Sequence, residues 1–327
     1  MKKAKRKSAR GKKASKKRVH RINSRAGRPP GALGERTKLL IQAIQGILQR
    51  INSPMTTRQV FYQCLSSHAV EATASGYNRV QTLLVDLRRN GTIPADRIVD
   101  RTRAMHRVPL WESLVDAFVS MKTFYRRNPF QTQKVVPFIG MEKDALAEVI
   151  SDVVDEYGAP LFITRGYASV ALLQDWADEI RALNMVGKEV RIFYFGDFDP
   201  SGLNIPEAIE RELTALGVEF KFTVSGLLRS DIVKYKLPPQ VLKEDDTRRP
   251  KFEKAHGSYG YELDALDPDV LRQKIRDNIE SCIDKKAWAE LEQMEQQERY
   301  ELEEYIEDMR RPMQRGEEEP DSQKSEE

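Results

Sequence analysis

Ile192-Phe-Tyr-Phe-Gly-Asp197-Phe-Asp199-Pro-Ser-Gly202 decides the fold class of this chain. An apolar run of strand length ends in two acids, and a Pro-x-Gly turn then opens a helical pattern. The same design occurs earlier, in Phe138-Ile-Gly-Met-Glu142-Lys-Asp-Ala-Leu146. Working outward, strands are expected at 135–140, 161–164, 190–195 and 218–224, and helices at 144–157, 169–183 and 204–216. Such alternation predicts an α/β fold with a mostly parallel sheet and helices on its faces. Ligands of such sheets gather at the carboxyl ends of the strands, where Glu142, Asp197 and Asp199 fall. Pro137 suits an edge position or a strand start better than a central strand.

Acids at i and i+2 on extended chain project to the same side, and like charges that close favour a cation between them. Glu142, Asp197 and Asp199 are therefore candidate ligands for Mg2+, with Mn2+ as a substitute; hard cations of this kind are held by a few carboxylates and substrate phosphate. The competing reading of Asp197-Phe-Asp199 is a helix-capping loop, with one Asp as the cap and the other solvated. Asp144 suits the start of the following helix better than Glu142. That leaves Glu142 for metal binding or for proton exchange with a leaving oxygen. Lys143 could offset charge or hold phosphate, and reads more simply as a flanking surface lysine.

Upstream, Leu39, Leu40, Ala43, Ile44, Ile47, Leu48 and Ile51 mark one helix face, which Asn52-Ser53-Pro54 ends. Thr56 or Thr57 caps a second helix running through Arg58-Gln-Val-Phe-Tyr62-Gln-Cys-Leu65. A third helix is expected from Tyr77 to Arg89, with Asn90-Gly91 as its exit. An extended segment at 93–99 follows, then Asp100-Arg-Thr-Arg103. Three helices and a terminal ribbon describe a winged helix. Its third helix carries Asn78, Arg79, Gln81, Arg88 and Arg89, which suit a DNA groove and its phosphates, or form an ordinary solvated face.

The net charge of +4 conceals a strong asymmetry. Residues 1–30 carry 14 of the 54 Lys and Arg and none of the 50 Asp and Glu, so the rest bears 40 basic and 50 acidic residues, a net of −10. A basic block of this kind contacts nucleic acid or simply solubilises. Within it, Arg25-Ala-Gly-Arg28-Pro-Pro-Gly31 resembles an AT-hook, which slides into a narrow minor groove. No apolar run is long enough for a membrane span, and no apolar segment follows the basic N-terminus as in a secretory signal. Two isolated cysteines and four unclustered histidines give no zinc pattern and suit a reducing, cytoplasmic setting. The expected organisation is a disordered arm (1–34), a winged-helix DNA-binding domain (35–105), a connector with an aromatic-rich helix at 110–124 (106–134), an α/β metal-binding domain with a helical extension (135–310) and a disordered acidic tail (311–327).

A strand-end Glu followed by an Asp-x-Asp strand end resembles the Toprim domain of topoisomerases, primases and some nucleases. Glu142-Lys-Asp-Ala-Leu146, Thr164-Arg-Gly-Tyr167 and Gly196-Asp-Phe-Asp-Pro-Ser-Gly-Leu-Asn-Ile205, in that order, resemble the A subunit of topoisomerase VI and the related meiotic double-strand-break transesterase, in a compact, mobile-element-type form. Thr57-Arg58-Gln59-Val60-Phe61-Tyr62 matches that family's nucleophile motif, except that Gln59 replaces an acid often found there. The resemblance covers roughly residues 35–225. It implies that Tyr62 attacks double-stranded DNA to form a phosphotyrosyl bond, that Arg58 one turn earlier stabilises developing charge, and that Mg2+ on Glu142, Asp197 and Asp199 assists. It further implies a homodimer, in which each tyrosine meets the other copy's metal site, and a nucleoid-associated location. Strand passage would need a separate ATPase (B-type) subunit, since the chain has no GxxxxGK[ST] loop. Two alternatives remain: a hydrolytic Toprim nuclease with water as nucleophile and Tyr62 as a packed aromatic, and a non-enzymatic winged-helix DNA-binding protein.

Overall fold

The computed structural model describes residues 34–99 and 108–317. Arg25 and Arg28 in the basic arm, the 100–107 segment and the residues after 317 lie outside them. The sheet at the centre is wholly parallel, built from β3 (Val135–Met141), β4 (Leu161–Ile163), β5 (Glu189–Phe195) and β6 (Lys221–Val224) in the order β4-β3-β5-β6. Phe138, Ile139, Ile192, Phe193 and Tyr194 are buried in the two middle strands, as apolar runs in a doubly covered sheet require. Pro137 stands in central β3, against the edge position expected of it. β4 joins β3 only from Ile139 onward, so Pro137 has a strand partner on one side alone, opposite Arg191 of β5. Locally it is an edge residue, and the sheet loses little by its missing N–H.

Helices α5 (Asp144–Tyr157), α6 (Val170–Met185) and α7 (Pro200–Ala215) follow β3, β4 and β5. α7 begins at Pro200, four residues before the Asn204 expected, because Asp199 is its N-cap and proline suits a first helical turn. Gly202 in that turn lies directly on Asp197: a Cβ there would stand 2.2 Å from the Asp197 carbonyl oxygen. Gly202→Ala should therefore cost about 1–3 kcal/mol of stability, the usual cost of overpacking. Denaturant titration checks this, and an unchanged midpoint would contradict the packing.

The N-terminal unit holds α1 (Glu35–Arg50), β1 (Met55–Thr56), α2 (Thr57–Ser66) and α3 (Ala74–Arg89). Thr56 and Gln59 form a capping box at the start of α2, with bonds of 3.1 and 2.9 Å. Gln59 thus satisfies the helix start. α3 begins three residues before Tyr77, capped by Thr73. The extended ribbon expected at 93–99 is reduced to β2 (Ile98–Val99) behind a short 3-10 turn at Ala95–Arg97 that Pro94 introduces. β2 pairs in parallel with β1.

The connector helix α4 (Leu114–Phe124) is shorter than expected. After β6 come α8 (Arg229–Tyr235), β7 (Gln240–Val241), α9 (Arg249–His256), β8 (Tyr259–Gly260), a 3-10 turn at Leu263–Ala265, α10 (Pro268–Glu280) and α11 (Lys285–Glu317). β7 and β8 pair antiparallel. α10 packs on α5, and α11 on α4. The helix boundary expected near 310 is passed: α11 runs on to Glu317, through Pro312 and Gly316. Phe198 and Tyr261 exchange backbone bonds of 2.8 and 2.9 Å, laying the chain after β8 across the carboxyl end of β5. There the Leu263–Ala265 turn meets α2, so the N-terminal unit packs against the sheet domain at the carboxyl ends of its strands.

Candidate functional site

β3 delivers Glu142 and β5 delivers Asp197 to adjacent positions at that edge. The Glu142 N–H donates to the Phe195 carbonyl at 3.0 Å, and the Glu142 carboxylate accepts from the Asp197 N–H at 3.0 Å. Gly196 leaves room for this carboxylate, because a Cβ there would sit 2.8 Å from Glu142 Oε2. Asp197 is buried; its Oδ1 accepts from the Leu263 N–H at 2.7 Å and its Oδ2 meets Lys143 Nζ at 2.8 Å. Asp199 Oδ1 accepts from the Gly202 N–H at 2.6 Å and caps α7. The two aspartates therefore have different tasks: Asp199 does cap, as one sequence reading allows, but Asp197 is buried and bonded rather than solvated. With Glu142 they line one cavity of about 550 Å³.

Lys143 is not a surface lysine. Its side chain is 19% exposed, and its ammonium lies 2.8 Å from Asp197, 3.0 Å from Glu262 and 2.9 Å from Asp264. Burial works against its charge; Asp264, Asp197 and Glu262 overcome that and hold its pKa above the usual lysine value. Burial raises the pKa of Asp197, as does the nearby Glu142, against the opposing pull of Lys143 and the Leu263 N–H. Burial likewise raises that of Glu142, despite the Asp197 N–H and Lys143. Glu262 and Asp264 were not anticipated as site residues, although their spacing after a strand repeats that of Asp197 and Asp199.

α2 brings Arg58 and Tyr62 to the same edge. Arg58 is paired with Glu262 and lies 3.9 Å from Asp264. Its guanidinium is 5.9 Å from the centre of the Tyr62 ring. Tyr62 is only 2% exposed, and its hydroxyl accepts a hydrogen bond from the Gln240 amide. Burial and the neighbouring Glu262 push the phenol up to about 12, with Arg58 acting in the opposite direction. Tyr62 lines a second cavity of about 600 Å³, which shares Arg58 and Gln240 with the first. The Thr164–Tyr167 loop flanks the centre: the Gly166 N–H reaches the Glu142 carbonyl at 3.4 Å, and Arg165 pairs with Asp144 at 2.9 Å. On α3, Asn78, Arg79 and Arg89 are exposed and Arg88 is partly buried; none of them lines the acidic cavity.

The donor chemistry suits a hard divalent cation. Glu142, Asp197, Asp199 and Glu262 line the cavity together with Lys143 and Arg58, Asp264 meets the Lys143 ammonium at 2.9 Å, and Asp264 Oδ1 is buried with no hydrogen-bond partner. With the Lys143 ammonium bonded among them, no three described His, Cys, Asp or Glu side chains are arranged to hold a metal ion. A cation would have to displace that ammonium from Asp197. Among the described residues no helix is long and apolar enough to cross a membrane. Compared with protein-family models, curated proteins and solved structures, the chain matches none.

Proposed function

We propose that this chain is a magnesium-dependent DNA-cleaving enzyme resembling the topoisomerase VI A subunit, which breaks duplex DNA through a phosphotyrosyl intermediate. The observation that carries the reading is the meeting of Arg58 and Tyr62 on α2 with the strand-end acids, through Glu262. Glu142, Asp197 and Asp199 would hold Mg2+ or Mn2+, which when bound supplies electrophilic stabilisation of charge on phosphate oxygens. The Tyr62 oxygen bonds to phosphorus as the bond from phosphorus to a deoxyribose oxygen breaks, and the phenolic proton ends on the departing hydroxyl. Arg58 steadies the phenolate and the charge growing on the phosphate. Reaching DNA requires Tyr62 to leave its contact with Gln240, and the acids it then meets belong to a second copy of the chain. Residues 35–105 serve as a winged-helix DNA-binding domain, with the outward residues of α3 toward the duplex. A nucleoid-associated location follows from this reading, and strand passage would call on a separate ATPase subunit.

Hydrolytic cleavage with water as nucleophile is the second reading, favoured by the burial of Tyr62 and its raised pKa. The deciding experiment incubates purified protein with supercoiled DNA and Mg2+ or Mn2+, quenches with detergent and looks for protein bound to DNA ends. Attached protein supports the transesterase; cleavage with free ends supports the hydrolase. Tight duplex binding without cleavage, with any metal, overturns both enzymatic readings.

The basic arm makes a separate prediction. Deleting residues 1–34 should flatten the salt dependence of duplex binding, since each phosphate neutralised contributes about −0.9 to the log–log slope. An unchanged slope would show that the arm does not touch DNA.

A further inference from the structure

Glu262 is held from two sides. Lys143, from the metal-binding edge, approaches it at 3.0 Å, and Arg58, from α2, pairs with it as well. It also lines the cavity that holds Glu142, Asp197 and Asp199. One carboxylate thus serves the acidic centre and the helix that carries Tyr62. We propose that Glu262 is a coupling residue, which links divalent-cation occupancy of the acidic centre to the grip on Arg58. The inference rests on the metal-site reading given above.

The argument is one of competition for a single negative charge. A divalent cation at Glu142 and Asp197 repels the Lys143 ammonium, which is 2.8 Å from Asp197. Glu262 is then drawn toward the cation or toward the displaced ammonium, and in either case it holds Arg58 less. Asp264 does not replace it, because its nearest contact with Arg58 is 3.9 Å. Occupancy would loosen Arg58, which lies 5.9 Å from the centre of the Tyr62 ring on the same helix. Linkage requires the converse: removing Arg58 must strengthen cation binding, and only through Glu262.

The test measures Mn2+ affinity of the full chain without DNA, from the electron paramagnetic resonance signal of free Mn2+. Arg58→Ala should tighten binding by about fivefold to tenfold. Arg58→Gln, which keeps most of the aliphatic stem, should do the same. Glu262→Gln, nearly isosteric, should weaken binding by about tenfold, and Arg58→Ala should add nothing in that background. A merely structural role for Glu262 would not produce this non-additivity. Equal affinity in the parent and both Arg58 variants would overturn the coupling, as would an Arg58 effect that persists in Glu262→Gln. A parent chain that binds no Mn2+ would defeat the metal reading and the coupling together, whereas binding that ignores Arg58 defeats the coupling alone.

Discussion

Tyr62→Phe should abolish the attachment of protein to DNA ends, by at least about 10³-fold, while leaving the fold in place. The substitution removes one oxygen. The ring keeps its contacts with Phe61, at 5.4 Å, and with Arg58, at 5.9 Å. Its hydroxyl loses the Gln240 amide and the Arg58 guanidinium, and both of these line open cavities where water can take its place. Asp197→Ala should abolish cleavage by either mechanism, because it removes the most buried of the three proposed ligands. The two variants together separate the readings: cleavage that persists in Tyr62→Phe and stops in Asp197→Ala makes the protein a hydrolase. The transesterase also carries a pH signature. The buried phenol at about 12 and a released phenol at its ordinary value of about 10 both lie above neutrality, so in either state the phenolate fraction rises with pH throughout the neutral range. The single-turnover rate of adduct formation should climb from pH 7 to pH 9, by up to about tenfold per unit. A flat profile would show that loss of the phenolic proton does not limit the step.

The parts of this molecule that are legible in its sequence are the local ones. Apolar runs ending in acids disclose β3 and β5, because strand, strand end and helix start are contiguous in the chain. The early start of α7 was missed because Asp199-Pro-Ser-Gly202 reads as a turn, whereas Asp and Pro here are the cap and first residue of the helix. Pro137 was misjudged for a different reason: its tolerance depends on where β4 begins alongside it, a matter of register between strands far apart in sequence. The site divides in the same way. Glu142, Asp197 and Asp199 announce themselves at strand ends, whereas Glu262 and Asp264 reach the centre only because Tyr261 pairs with Phe198, more than sixty residues away. Nothing near Lys143 shows that three carboxylates will enclose it. The spacing of Arg58 and Tyr62 on one helix face is local, whereas the contact of the buried Tyr62 hydroxyl with Gln240 of β7 joins residues far apart in the chain.

Lys143→Met should be the most destabilising of the substitutions considered, and its cost should depend on divalent cations. Methionine keeps a similar unbranched stem but removes the ammonium shared by Asp197, Glu262 and Asp264. These side chains are 8%, 16% and 1% exposed, so water replaces the lost charge poorly. Removing one partner from a buried ionic cluster costs about 3–5 kcal/mol. Arg58 compensates only in part, since it pairs with Glu262 and lies farther from Asp264. The sign of the pH dependence follows from Asp197 and Glu142. Both have raised pKa values in the folded chain, and Lys143 opposes the rise in each. Without Lys143 the rise is greater, so the native state retains protons that the unfolded chain releases, and stability falls as pH increases. The deficit should therefore be larger at pH 8 than at pH 5. Saturating Mn2+ should reduce it, because without the competing ammonium the variant binds the cation more tightly than the parent, and a hundredfold difference in dissociation constant is worth about 2.7 kcal/mol at saturation. Urea titrations of parent and variant, at both pH values and with and without Mn2+, measure all of these effects. A variant as stable as the parent would show that Lys143 does not neutralise the centre. A deficit that Mn2+ leaves untouched would show that the acids Lys143 holds are not the ones a metal ion uses.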